Sequence, residues 1–153
     1  MTQKEIDKII DALPYAGCYG DGKAEFVLTG TFLLTMFGLM DEYNDVDVIV
    51  VNANRKFWSD FLNEHEDSLI EASEFYDCVK IELSGITFNL IQDDRYYIAS
   101  DSMNLFVDDN VYLDSLSHAL KVKADLKREK DKVHFEIINQ RLEDLKKNEK
   151  DNV

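Results

Sequence analysis

The chain has 153 residues, a length typical of one globular domain. Hydrophobic residues make up 45% of it and aromatic residues 11%, which is enough apolar surface for a packed core and excludes a disordered chain. The 17 basic and 31 acidic side chains give a formal net charge of −14, and this negative field repels nucleic-acid phosphates. The composition of this acidic protein therefore excludes general coating of DNA.

The sequence has no feature of a membrane or secreted protein. No apolar run reaches the roughly 18 to 20 residues that a membrane helix needs, and the charged opening MTQKEIDKII is unlike a secretory signal. The two cysteines, Cys18 and Cys78, form neither a disulfide framework nor a CxxC metal pair. We therefore expect a cytoplasmic protein with no membrane partner.

The first part of the chain predicts a helix, a strand and a second helix. The opening helix covers residues 2–13 and ends at Pro14, the single proline. Residues 25–29 have the β-branched and aromatic bias of a strand, and Gly30 follows at once. Apolar residues then recur at helical spacing over 31–40, so a tight glycine turn joins the strand to a helix.

Later segments predict a central strand and more helices. Residues 48–51 form an unbroken β-branched run, which is typical of a strand covered on both faces. Asn54 predicts the N-cap of a helix that continues to about residue 66. Apolar residues at three-four spacing over 113–147 predict two helices, hinged near residues 127–130.

A hairpin is predicted between the central strand and these last helices. Residues 78–83 and 86–91 are strand-like and are separated by a two-residue turn that contains a glycine. Antiparallel partners pair outward from such a turn, so Lys80 faces Asn89. Glu82 lies on the same polar face of the hairpin.

These elements predict an α/β (α+β) protein with a mixed β-sheet flanked by helices and with C-terminal helices. The predicted core covers residues 1–110, and a helical region over 111–147 packs on it. Residues 148–153 are expected to be a frayed tail.

The clearest chemical feature combines a glycine turn with two acids. Asp45 and Asp47 lie two residues apart at the start of the central strand, so their side chains point to the same face. Like charges this close repel unless a cation lies between them, and Mg²⁺ takes one or two carboxylates together with water and phosphate oxygens. Gly30 and Thr31 begin a helix and offer N–H groups and a hydroxyl to a phosphate. The combination predicts a site for Mg²⁺ and phosphate.

Three segments carry a resemblance to a known family. Residues 28–31 read LTGT and residues 45–47 read DVD, and together they resemble the nucleotidyltransferase superfamily built on the DNA-polymerase-β-like fold. Residues 123–131 read KADLKREKD, which is similar to the C-terminal pattern of the AbiEii-type toxin nucleotidyltransferases and their small relatives. The resemblance implies a mixed sheet flanked by helices and Mg²⁺-dependent transfer of a nucleoside monophosphate from a nucleoside triphosphate.

The resemblance also implies roles for individual residues. Gly30 and Thr31 would bind the triphosphate, and Asp45 and Asp47 would ligate Mg²⁺. The C-terminal segment would contribute nucleotide-binding residues, of which three neutralise phosphate charge and the fourth orients them or helps to activate the acceptor: Lys123, Arg128, Lys130 and Asp131. The alternative interpretation of that segment is a charged helix face held by pairs spaced four residues apart.

The sequence departs from the family pattern at catalytically important points. Asn89 stands at the catalytic position where the superfamily has a third carboxylate, and an amide cannot take a proton from an attacking hydroxyl. Glu82, on the same face of the hairpin, is an alternative source of that carboxylate. Thr31 replaces the usual glycine or serine of the turn, and the two residues directly before Asp45, Tyr43 and Asn44, are not basic.

Three interpretations therefore stay open. The chain is an active nucleotidyltransferase, or a catalytically degenerate relative that binds or interacts, or an unrelated protein with a chance acidic pair. The acceptor of an active enzyme is a protein hydroxyl, a small molecule or an RNA end, and the basic residues clustered over 121–132 keep RNA open despite the net charge. His65 and His118 have no evident partners in the sequence and receive no role.

Overall fold

The computed structural model describes residues 2–73, 78–93, 103–104, 111–126 and 129–151. The helices in these ranges are α1 (Gln3–Ala12), α2 (Gly30–Met36), α3 (Arg55–Glu64), α4 (Leu116–Leu126) and α5 (Glu129–Asp151), with short 3₁₀ turns at Ala16–Cys18 and Glu66–Ser68. The strands are β1 (Glu25–Thr29), β2 (Val46–Val51), β3 (Leu69–Ala72), β4 (Cys78–Leu83), β5 (Ile86–Gln92), β6 (Met103–Asn104) and β7 (Val111–Leu113).

The strands of the described ranges form one mixed sheet in the order β3-β4-β5-β2-β1-β7-β6. β2 lies in the middle, antiparallel to β1 and parallel to β5. β1 also pairs in parallel with β7, and β5 closes an antiparallel hairpin with β4. The predicted central strand and the predicted mixed sheet flanked by helices are both confirmed.

The main core lies between the helices and one face of the sheet. Val48 and Val50 of β2 belong to it, together with Phe57 of α3 and Ile138 of α5. The alternate residues of β2 point to the opposite face, because successive side chains of a strand alternate. On that face, Ile49 and Val51 of β2 and Val27 of β1 form a separate small apolar cluster against Tyr112. Burial on both faces explains why β2 reads as a continuous apolar run.

Several local predictions are confirmed. The opening helix is present as α1, and the Asn54 side chain caps α3 by accepting a hydrogen bond from the Phe57 N–H. The β4–β5 hairpin has the predicted register, with Lys80 opposite Asn89. These features depend on short-range chemistry, which a sequence shows directly.

Other element boundaries differ from the prediction. α2 ends at Met36 rather than near residue 40, because Gly38 adopts a φ of +75° and its N–H bonds back to the Thr35 carbonyl. The first C-terminal helix begins at Leu116 rather than 113, because Val111–Leu113 pairs with β1 instead. α5 continues to Asp151, beyond the expected end of regular structure. The predicted hinge between the two helices falls partly on residues 127–128, which lie outside the described residues.

Within the described residues, no helix has both the length and the apolar composition needed to cross a membrane. The longest helix, α5, carries charged side chains along its whole length.

Candidate active site

A row of polar side chains crosses the middle of the sheet at the end where β1 gives way to α2. The strand registers place Lys80 opposite Asn89, Asn89 opposite Asp47, and Asp47 opposite Thr29. Directly paired residues project from the same face of a sheet. These four side chains, called here the polar row, therefore line one face across β4, β5, β2 and β1, and Asp45 lies just before β2.

Asn89 joins the two aspartates. Its Nδ2 donates hydrogen bonds to Asp47 Oδ1 at 3.1 Å and to Asp45 Oδ2 at 3.4 Å. Both carboxylates therefore lie within reach of one amide group, as expected for two side chains on the same face of a strand. The amide N–H groups lie where they reduce the repulsion between the two negative charges.

Lys80 adds a positive charge to the same place. Its ammonium Nζ lies 3.4 Å from Asp45 Oδ2, and the exposed fractions of the two side chains are 38% and 30%. Because both groups are partly in water, the attraction is screened and the lysine stem is free to move. The acid pair is thus compensated by an uncharged amide and by an exposed ammonium.

Gly30 allows the turn to pass directly beside Asp47. Its φ of +74° is a left-handed conformation that disfavours any residue with a Cβ. A Cβ at this position would fall far inside van der Waals contact with Asp47 Oδ2. The backbone conformation therefore favours glycine, a larger residue would also require the Asp47 side chain to move, and the glycine turn lies directly against the acid pair.

Thr31 follows in the first turn of α2. Its backbone carbonyl accepts a hydrogen bond from the Thr35 hydroxyl at 2.8 Å. Because Gly30 lies against Asp47, Thr31 next to it also lies at the sheet edge that carries the two aspartates.

A second cluster of polar side chains, built around a single carboxylate, lies on the other side of β1. Asp114 follows β7 and is 2% exposed. It accepts hydrogen bonds from the Thr29 hydroxyl at 2.7 Å and from the Ser115 N–H at 2.8 Å, and it pairs with His118 Nδ1 at 2.5 Å. We call Thr29, Asp114, Ser115 and His118 the buried cluster, after the burial of Asp114 and Ser115; Thr29 and His118 are partly exposed.

The buried cluster was not predicted from the sequence. The sequence indicates no partner for His118, whereas in the structure its Nδ1 contacts the Asp114 carboxylate. The sequence likewise indicates no partner for His65, whereas in the structure its Nε2 lies 3.0 Å from the Tyr19 hydroxyl. Only the spacing of four residues between Asp114 and His118 at a helix start could have indicated the first pair.

The loop that leads into Asp45 is attached to other parts of the fold. Arg141 of α5 pairs with Asp41 at 2.8 Å and donates to the Gly38 carbonyl at 3.2 Å. The Tyr43 ring packs edge-on against Phe32, with 5.4 Å between centroids. Burial raises the pKa of the Tyr43 hydroxyl, with a smaller contribution from the negative charge of Glu5.

The donor set at the acid pair suits a hard divalent cation. Two carboxylates supply oxygen ligands, and Asn89 can offer its carbonyl oxygen when its amide turns over. Mg²⁺ binds in this way through one or two carboxylates and keeps several waters. No cluster of three or more His, Cys, Asp or Glu side chains that could hold a metal occurs among the described residues, so a cation here would depend on Asp45 and Asp47.

The remaining predicted residues lie on the C-terminal helices or outside the described ranges. Lys123 belongs to α4, while Lys130 and Asp131 belong to α5. Arg128 lies outside the described residues. Their predicted contact with phosphate stays a prediction.

Glu82 is exposed, and its register partner in the hairpin is Thr87. Lys80, and not Glu82, therefore lies directly opposite Asn89.

The fold is similar to that of a Thermotoga maritima protein, TM1012, which is described as a "putative nucleotidyltransferase". The similarity has a TM-score of 0.55 at 15% sequence identity, and it covers 92% of this chain and 96% of that one. No protein-family model matches the chain, and no curated protein matches its sequence. The chain therefore has a nucleotidyltransferase-like fold, which agrees with the resemblance found in its sequence.

Proposed function

We propose that the chain is a Mg²⁺-dependent nucleotidyltransferase that transfers a nucleoside monophosphate from a nucleoside triphosphate to an acceptor hydroxyl, with release of pyrophosphate. The observation that carries the proposal is the position of Asp45 and Asp47. The two carboxylates share one amide partner, and one of them packs against the Gly30 turn. This arrangement occurs within a nucleotidyltransferase-like fold.

Each part of the site has a defined task in this proposal. Asp45 and Asp47 hold the cation, which when bound neutralises phosphate charge during displacement at the α-phosphorus. Gly30 and Thr31 bind the triphosphate. Lys123, Arg128 and Lys130 neutralise phosphate charge, as the resemblance to the AbiEii-type enzymes implies. Asp131 orients them or helps to activate the acceptor. The acceptor is a protein hydroxyl, a small molecule or an RNA end, and the reaction takes place in the cytoplasm.

The Asp47→Asn variant tests this function. Asparagine keeps the shape of the side chain but removes the charge that the cation requires, so we expect transfer to fall on the order of 100-fold or more. The measurement is incorporation of label from an α-labelled nucleoside triphosphate in the presence of Mg²⁺. Asp67→Asn, which changes an exposed carboxylate of the 3₁₀ turn, is the matched control. Unchanged transfer by a folded Asp47→Asn protein would contradict the assignment.

A second candidate function is a catalytically degenerate module that binds nucleotide without transferring it. Asn89 favours this candidate, because its amide occupies the place of a third carboxylate and cannot accept a proton. Thermal stabilisation by Mg²⁺ and a nucleoside triphosphate, without label transfer, would support it. Gain of transfer in Asn89→Asp would then identify the missing carboxylate as the cause.

A further inference from the structure

We propose that Lys80 is an internal counter-ion of the acid pair, which competes with the divalent cation for Asp45 and so sets the cation concentration at which the site fills. The inference rests on the proposed function, because it takes Asp45 and Asp47 as the cation ligands. It goes beyond that function by assigning a role to a residue outside the family pattern.

Geometry places Lys80 at the site through the sheet itself. Its register partner is Asn89, and the register partner of Asn89 is Asp47. The ammonium reaches across this row to Asp45 Oδ2, at 3.4 Å. The contact therefore follows from two strand pairings, and the lysine stays near the acids even when its side chain moves.

Charge makes the lysine and the cation alternatives at Asp45. An ammonium and a divalent cation on one carboxylate would lie only a few ångströms apart, where like charges repel strongly. A cation that binds must therefore displace Lys80 from Asp45, and the lost attraction weakens cation binding. Displacement is feasible, because the Lys80 side chain is 38% exposed and its stem is flexible.

Asn89 strengthens this arrangement. Its amide hydrogens contact both carboxylates in the same state in which Lys80 contacts one of them. The amide and the ammonium together provide the compensation that a metal ion would otherwise provide. The acid pair can therefore persist in the folded chain before any cation binds.

Lys80→Met tests the proposal with a metal ion alone. Mn²⁺ serves as the probe, since it accepts the same oxygen ligands as Mg²⁺, and its affinity is measured by calorimetry or by the electron spin resonance of free Mn²⁺. Methionine keeps the length of the stem and removes the charge, so we expect binding about tenfold tighter than in the wild type. Lys80→Arg keeps the charge and should bind Mn²⁺ within about twofold of the wild type.

Lys56→Met is the matched control. Lys56 is an exposed residue of α3, and α3 begins beyond the opposite end of β2 from the acids. We expect the Lys56→Met variant to bind Mn²⁺ with the affinity of the wild type. Circular dichroism and thermal melting show that each variant folds.

The outcomes separate this inference from the proposed function. Equal or weaker binding by Lys80→Met overturns the role of Lys80, and equally tight binding by Lys80→Arg and Lys80→Met overturns the role of its charge. Absence of binding in every protein overturns the competition and also contradicts the cation site. Label transfer by the wild type reports on the proposed function separately, whatever Lys80→Met shows.

Discussion

Two carboxylate-containing clusters flank the end of β1, and they differ in how their negative charge is compensated. Asp114 is buried, and its carboxylate contacts the Thr29 hydroxyl, the Ser115 backbone N–H and the His118 imidazole. The pair of Asp45 and Asp47 is partly exposed and is compensated by the Asn89 amide and the flexible Lys80. A buried carboxylate must be satisfied by the fold, whereas an exposed one can exchange partners. The difference indicates a structural role for Asp114, whereas the carboxylates of Asp45 and Asp47 are able to exchange partners.

The two clusters meet at Thr29. This residue is the register partner of Asp47, and its hydroxyl donates to Asp114. The buried cluster therefore fixes the end of β1, and Gly30 begins the turn immediately after it. Rigid support of this kind holds a site in the geometry that its ligands need.

The largest difference should come from the same substitution made in each cluster. Asp114→Asn removes a buried charge from its hydrogen-bond donors and should lower the free energy of unfolding by about 3 kcal/mol. Asp45→Asn changes a partly exposed carboxylate and should alter it by less than about 0.5 kcal/mol. Urea denaturation measures both values. Similar losses for the two variants would mean that the clusters do not differ in structural role.

A smaller effect is expected where the glycine turn contacts the acid pair. Gly30→Ala should cost about 2 kcal/mol in unfolding free energy, because the new Cβ meets Asp47 and the residue must keep a positive φ. Gly85→Ala is the control, since Gly85 also has a positive φ but a Cβ added there would meet no atom within 4 Å. It should cost only about 1 kcal/mol. Equal losses would show that contact with Asp47 has no energetic weight.

The smallest effect should come from the residue that joins the clusters. Thr29→Val keeps the side-chain shape and removes the hydroxyl that donates to Asp114, so we expect a loss of about 1.5 kcal/mol. Thr87→Val, in β5, is the control and should change unfolding free energy by less than about 0.5 kcal/mol. Chemical denaturation compares the two. A stability equal to that of the control would show that the hydrogen bond from Thr29 to Asp114 does not stabilise the fold.

The sequence predicted those parts of the site that depend on neighbours along the chain. Strand alternation placed Asp45 and Asp47 on one face, and the two-residue hairpin turn paired Lys80 with Asn89. The glycine between a strand and a helix predicted the turn at Gly30. Each of these inferences needs only a few consecutive residues.

The missed features depend on pairings between distant segments. Lys80 reaches Asp45 only because β5 lies parallel to β2, and the hairpin sequence does not determine that neighbour. Thr29 and Asp114 are 85 residues apart in the chain. The three residues of β7 are too few for a periodic pattern, so the strand that carries the chain to Asp114 could not be recognised.

The contacts of Arg141 attach the C-terminal helix α5 to the loop that precedes Asp45. Arg141 belongs to α5 and binds both Asp41 and the Gly38 carbonyl. Asp41 is 82% exposed, so the ion pair weakens as salt concentration rises. A molecule that docks on α5 and shifts this helix would therefore alter the freedom of the segment leading to Asp45.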